Sequence, residues 1–133
     1  MAAVDPRDAV IRVAVPARPD TLHLLRSVTA SVGARLSLAL DDLEDLRIAV
    51  DEAATLLLTR SRDADRTLHL DLTCADRTLR VRVRVEPGTP DAPGEDPLAS
   101  WPWRVITGIT DEASIDRSPA GTTISFTKTG PDR

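Results

Sequence analysis

Between Leu68 and Val85 the sequence alternates with a period of two. Leu68, Leu70 and Leu72 are separated by His69 and Asp71. Leu79, Val81, Val83 and Val85 are separated by Arg80, Arg82 and Arg84. That period is the geometry of a strand, whose side chains point to opposite faces in turn. The short linker Ala75 to Arg77 joins the two runs as an antiparallel hairpin. Each strand then has one apolar and one charged face, so the sheet is covered on one side only. The rest of the chain has to supply that cover.

Two helices are predicted to do so. After the β-rich run Val10 to Val15, ended by Pro16 and Pro19, either Asp20 or Thr21 caps a helix running to about Ala34. Leu22, Leu25, Val28 and Val32 form its stripe; Arg26 falls off it and faces outward. Gly33 marks the helix end, where a residue without a Cβ is favoured. The second helix is capped by Asp41 or Asp42 and ends near Arg60. Its acidic first turn (Asp41, Asp42, Glu44, Asp45) suits the positive end of the helix dipole. Leu43, Leu46, Val50, Ala53, Ala54 and Leu57 repeat at the spacing of a buried face.

Further along, Glu86 to Ser100 holds four of the ten prolines and reads as an irregular surface loop. A short helix is expected from Trp103 to Thr110, a strand from Ile115, and a last strand over Gly121 to Lys128. The tail Thr129 to Arg133 reads as frayed. The 133 residues suit one domain spanning the whole chain. The expected architecture is an α+β two-layer sandwich, with helices on one face of a mixed, mostly antiparallel sheet.

Composition excludes several classes. Aromatics are only 2% of residues, so aliphatic side chains must fill the core. A net charge of -4 gives no general electrostatic reason to bind nucleic acid or an anionic membrane. One cysteine, Cys74, rules out an intrachain disulfide or a Cys-based zinc site. His23 and His69 have no partner at ligand spacing. The segment Met1 to Asp8 lacks the apolar run of a targeting signal, and no stretch approaches the roughly 20 apolar residues of a membrane span. The expected location is the cytoplasm. The arginine row Arg80, Arg82 and Arg84, extended to Lys128, has no interleaved aromatics and reads as a solvated sheet face with Asp71 across from it.

The segment Asp45 to Arg60 (DLRIAVDEAATLLLTR) resembles the N-box helix of the GHKL, or histidine-kinase-like, ATPases. Within that superfamily the similarity is to the anti-sigma serine kinase group typified by RsbW. It runs without gaps back to Arg18 and forward through the hairpin to Val85. It returns at Trp101 to Ala113 (WPWRVITGITDEA), similar to the second glycine-box helix, and at Gly121-Thr122-Thr123, similar to the terminal Gly-Thr box. The order and spacing of the four segments carry the resemblance. It implies a Bergerat-type sandwich that binds an RNA polymerase sigma factor. In kinase-active members, Mg-ATP is used to phosphorylate a serine of a STAS-domain anti-anti-sigma factor. Members of the group also form homodimers, which nothing in this composition requires.

The resemblance carries roles to particular positions. Glu52 matches the general base, a carboxylate that accepts a proton from serine or orients it; the alternative is a helix-surface carboxylate near Arg26 or Arg47. Glu86 and Gly88 match the first glycine box, whose carboxylate holds the adenine amino group; the alternative is a Pro-Gly turn. Gly121 and Thr122 match the terminal Gly-Thr box as nucleotide contacts, Thr122 being the threonine that supports that carboxylate, against an ordinary strand. Arg26 matches a first-helix arginine that contacts an acidic site on the sigma factor, against a solvated arginine. Three departures bear on the nucleotide. Leu56 stands where the family places the Mg²⁺-binding asparagine, and a hydrocarbon offers no oxygen. Pro90 replaces a glycine. Pro102 and two tryptophans occupy the phosphate-binding stretch, the tryptophans packing into core or lid or facing a partner. Three readings follow: stoichiometric sequestration with ATP binding weak or lost, an active serine kinase, or a degenerate scaffold of this fold that docks to some other regulator.

Overall fold

The computed structural model describes residues 10–59, 66–86, 96–118 and 121–130. These residues form strands β1 (Val10–Pro16), β2 (Thr67–Ala75), β3 (Thr78–Glu86), β4 (Glu112–Ser118) and β5 (Gly121–Thr129). The helices are α1 (Leu22–Arg35), α2 (Leu40–Thr59) and α3 (Trp101–Ile109). The strand order is β1-β2-β3-β5-β4, and all four pairings are antiparallel rather than mixed.

The hairpin register sets the whole sheet. Leu68, Leu70 and Leu72 stand beside Val85, Val83 and Val81, and the next strand adds Ile124 and Phe126 on the same face. All of them are buried, and the helices cover this face. His69, Asp71, Arg80, Arg82 and Arg84 lie on the other face, with Asp71 next to Arg82 as expected. The two-residue turn uses Asp76 at a left-handed φ of 55°, which aspartate tolerates.

α1 and α2 form an antiparallel pair joined by a tight connection. Ser37 N–H donates to the Ala34 carbonyl and Leu38 N–H to the Gly33 carbonyl, with Ser37 at φ 59°. This pair of bonds closes a Schellman end around a left-handed residue. Ser37 takes the place expected of Gly33. Gly33 instead allows close packing, since a Cβ there would meet Leu43 Cδ2 at 2.7 Å.

The expected caps also differ. Thr21 precedes α1, but its hydroxyl donates back to the Pro16 and Arg18 carbonyls at 2.8 Å instead of capping. α2 begins at Leu40, one residue before the acidic pair Asp41 and Asp42, which lie in its first turn. Within the expected irregular loop, Pro97–Ala99 make a 3-10 turn; residues 87–95 lie outside the described set. The tail is tied at its start: the amide of Thr129 donates to Asp111 Oδ2 and that of Gly130 to the Arg77 carbonyl, both at 2.7 Å.

Lys128 does not belong to the arginine row. It follows Ile124 and Phe126 by twos, pairs with Leu79, and so lies on the helix side. Its side chain is 12% exposed. Nζ lies 3.3 Å from Asp45 and 3.6 Å from Asp42 of α2, and donates to the Ile109 carbonyl of α3 at 2.9 Å. One cation thus joins β5, the start of α2 and the end of α3, where the carbonyl end of a helix dipole favours positive charge. Replacing Lys128 with methionine keeps the stem but strands two carboxylates and a carbonyl. The expected loss is about 2 kcal/mol, read as a fall in the urea midpoint; an unchanged midpoint would show that this cluster adds nothing.

Candidate functional site

The Lys128 cluster and the Arg117–Asp96 pair mark how the helices lie over the sheet. Lys128 brings the start of α2 and the end of α3 to one end of β5. Arg117 of β4, opposite Thr122, reaches Asp96 just before α3, with Nη1 to Oδ1 at 3.7 Å. The second half of α2 and the first turn of α3 therefore flank the sheet end that carries Gly121 and Thr122. On a helical wheel Asp45, Glu52 and Leu56 share one side of α2, and Asp45 marks it as the side toward α3 through Lys128.

Glu52 is half-buried on that side. Its neighbour Asp51, one step around the helix, takes Arg26 as its partner. Leu56 is 5% exposed and belongs to the continuous apolar core with Ala53, Leu57 and Ile106, against which Trp103 packs. A magnesium ion needs oxygen ligands in near-octahedral array. The position that the resemblance assigns to one such ligand is Leu56, a hydrocarbon inside the core, and it does not fit the ion.

The first turn of α3 is also committed elsewhere. Ser100 caps it, accepting from the Trp103 amide at 3.4 Å while its own hydroxyl donates to the Pro97 carbonyl at 2.6 Å. Pro102 has no amide proton, which suits an early helical position. Two of the first three helical positions thus have no amide to offer a phosphate. The tryptophans divide: Trp103 packs on the core, whereas Trp101 is 71% exposed and is not a core residue.

The four residues assigned to a nucleotide are split. Thr122 precedes Ile124 by two and lies on the helix side; Gly121 beside it has φ 132°. Glu86 lies at the same end of the sheet, but strand alternation puts it on the opposite face. There it meets His69 Nε2 at 3.0 Å and Arg84 Nη1 at 3.2 Å. Gly88 lies outside the described residues. The outer face also has a hollow of about 110 Å³ lined by Arg80, Glu112, Ser114, Ser125 and Thr127, away from Glu52.

Arg26 is not simply solvated. Its Nη1 lies 3.3 Å from Asp51 Oδ1 across the α1–α2 groove. Sequence periodicity placed each residue on its helix but had no signal for this pairing, because the two are distant in sequence. Burial pushes the Cys74 thiol up, with Arg35 opposing, which fits a small packing residue rather than a nucleophile. Among the described residues no helix is long and apolar enough to cross a membrane.

Comparison with known proteins adds the following. A family model described as "Histidine kinase-like ATPase domain" matches residues 15–128. The anti-sigma-F factor RsbW of Mycobacterium tuberculosis is 35% identical over 104 residues, which is 77% of this chain and 58% of that protein. The chain therefore spans under two thirds of the length of that relative. The serine-protein kinase RsbW of Bacillus licheniformis is 33% identical over 57 residues, 43% of this chain and 36% of that one. In the crystal structure of the RsbU and RsbW domains of Rv1364c from Mycobacterium tuberculosis, the likeness reaches a TM-score of 0.73. It has 18% identity and covers 94% of this chain and 34% of that chain, a likeness of fold.

Proposed function

We propose, from the premise that this chain belongs to the histidine kinase-like ATPase domain family, that it is a cytoplasmic anti-sigma regulatory factor. In this reading it binds and sequesters an alternative sigma factor stoichiometrically, and its Mg-ATP site is weak or lost. The similarity to a protein named an anti-sigma-F factor supports the partner class. The observation that carries the loss of nucleotide chemistry is Leu56, a hydrocarbon built into the core at the metal-binding position. The capped, proline-containing start of α3 supports it further.

Docking is assigned to α1 through Arg26, whose planar fork suits a carboxylate on the partner. A STAS-domain anti-anti-sigma factor is the proposed antagonist, competing for the same protein without phosphate transfer.

The test is retention of purified sigma factors on the immobilised full chain, with and without Mg-ATP. One sigma factor is expected to be held equally well in both conditions, and Arg26→Ala is expected to weaken that binding about tenfold. Retention of none would overturn the anti-sigma reading. The second reading, an active serine kinase, is favoured by Glu52, half-buried on the α3 side of α2, and by the similarity to a serine-protein kinase. Phosphate transfer from Mg-ATP to a STAS protein, lost in Glu52→Ala, would establish it instead.

A further inference from the structure

We infer that Asp51 masks Arg26: it holds the guanidinium in the free protein and gives it up when an acidic segment of a partner docks. The inference rests on Arg26 being the docking residue proposed above, and adds how its affinity is set.

The geometry separates masking from orientation. Arg26 and Asp51 meet by one terminal nitrogen and one carboxylate oxygen at 3.3 Å, with side chains 36% and 39% exposed. A single half-exposed bond of that length is a weak restraint on a long side chain. Its effect on charge is larger. With Asp51 beside it the Arg26–Asp51 pair carries no net charge, so an approaching carboxylate meets little attraction and, within a few ångströms, a like charge. Arg47 of α2 is itself paired with Glu44 at 3.2 Å and does not replace the missing field. A guanidinium has donors enough for a bidentate carboxylate, a geometry stronger than the one Asp51 provides. Exchange of Asp51 for a well-placed partner carboxylate is therefore favourable once contact is made. The cost falls on the encounter.

The experiment follows the Arg26 side-chain Nε–Hε resonance of the full chain during titration with a capped tetraglutamate peptide. Asp51→Asn is expected to bind the peptide about threefold more tightly than the unmodified chain, with a steeper salt dependence. Asp41→Asn changes the net charge equally at an exposed position of the same helix and is expected to leave the affinity unchanged. Adding Arg26→Ala to Asp51→Asn is expected to remove the gain, followed through backbone amides. Equal affinities for Asp51→Asn and Asp41→Asn, or weaker binding by Asp51→Asn, would overturn the masking. In a separate arm, Arg26→Ala is measured against the sigma factor retained in the panel. No loss there, whatever the peptide does, would remove the docking role and the inference with it.

Discussion

Phe126→Ala is expected to bring the chain close to unfolding at room temperature. Phe126 is the only phenylalanine in a chain with 2% aromatics, and it is 1% exposed. It stands between Val81 of β3 and Ala113 of β4 on the helix-covered face. Its neighbours in register are small or β-branched, so they cannot swing in to fill the space it leaves. Truncating a buried ring of this kind costs about 3–5 kcal/mol, against a total of about 5–15 kcal/mol for an ordinary domain. The measurement is urea unfolding, where the midpoint is expected to fall by about 2 M at unchanged slope. A midpoint within error of the parent would place the ring outside the core.

Leu56→Asn is expected to cost nearly as much, about 3 kcal/mol. On sequence grounds alone the substitution restores the asparagine of the family pattern. The structure makes it a core substitution: Leu56 is buried in the same apolar cluster as Ala53, Leu57 and Ile106. The exchange removes a branched hydrocarbon and introduces an amide among apolar side chains. The variant is expected to unfold at lower urea and still to show no heat of Mg-ATP binding by calorimetric titration. Undiminished stability together with a new magnesium-dependent ATP affinity would mean that Leu56 lines an open nucleotide pocket, and the proposed loss of the site would fail.

How much of this was legible beforehand differs from residue to residue. The hairpin was readable down to the facing of each side chain, because a strand has one period and Leu68 to Val85 keeps it. The buried stripe of α2 was readable for the same reason at a period of 3.6. Lys128 is an intermediate case. Its charge groups it with the arginine row in the sequence reading, although its spacing from Ile124 and Phe126 is that of the core side; a lysine there makes sense only with Asp42, Asp45 and the Ile109 carbonyl around it. Gly33 lies in the last turn of α1, as its residue type suggests, but a different constraint selects it. A glycine near a helix end suggests a left-handed turn, whereas the space it leaves is taken by Leu43, and Ser37 makes the turn.

The candidate site was less legible than the fold. Glu52, Leu56 and Thr122 could be named from a resemblance. Whether they share a side of the molecule depends on how α2 and α3 lie over β5. Glu86 illustrates the limit, since alternation along β3 carries it to the face with His69 and Arg84.

By itself the amino-acid order determined which stretches are strand and which are helix, to within a few residues at their ends, and which flank of the regular ones is apolar, since those follow from backbone periods that act over a few neighbours. The tertiary structure alone decided that Asp51 meets Arg26, that Trp101 stays outside, and that one lysine serves three elements. Such choices depend on the distance between groups far apart in the chain, and electrostatic and packing energies are functions of that distance.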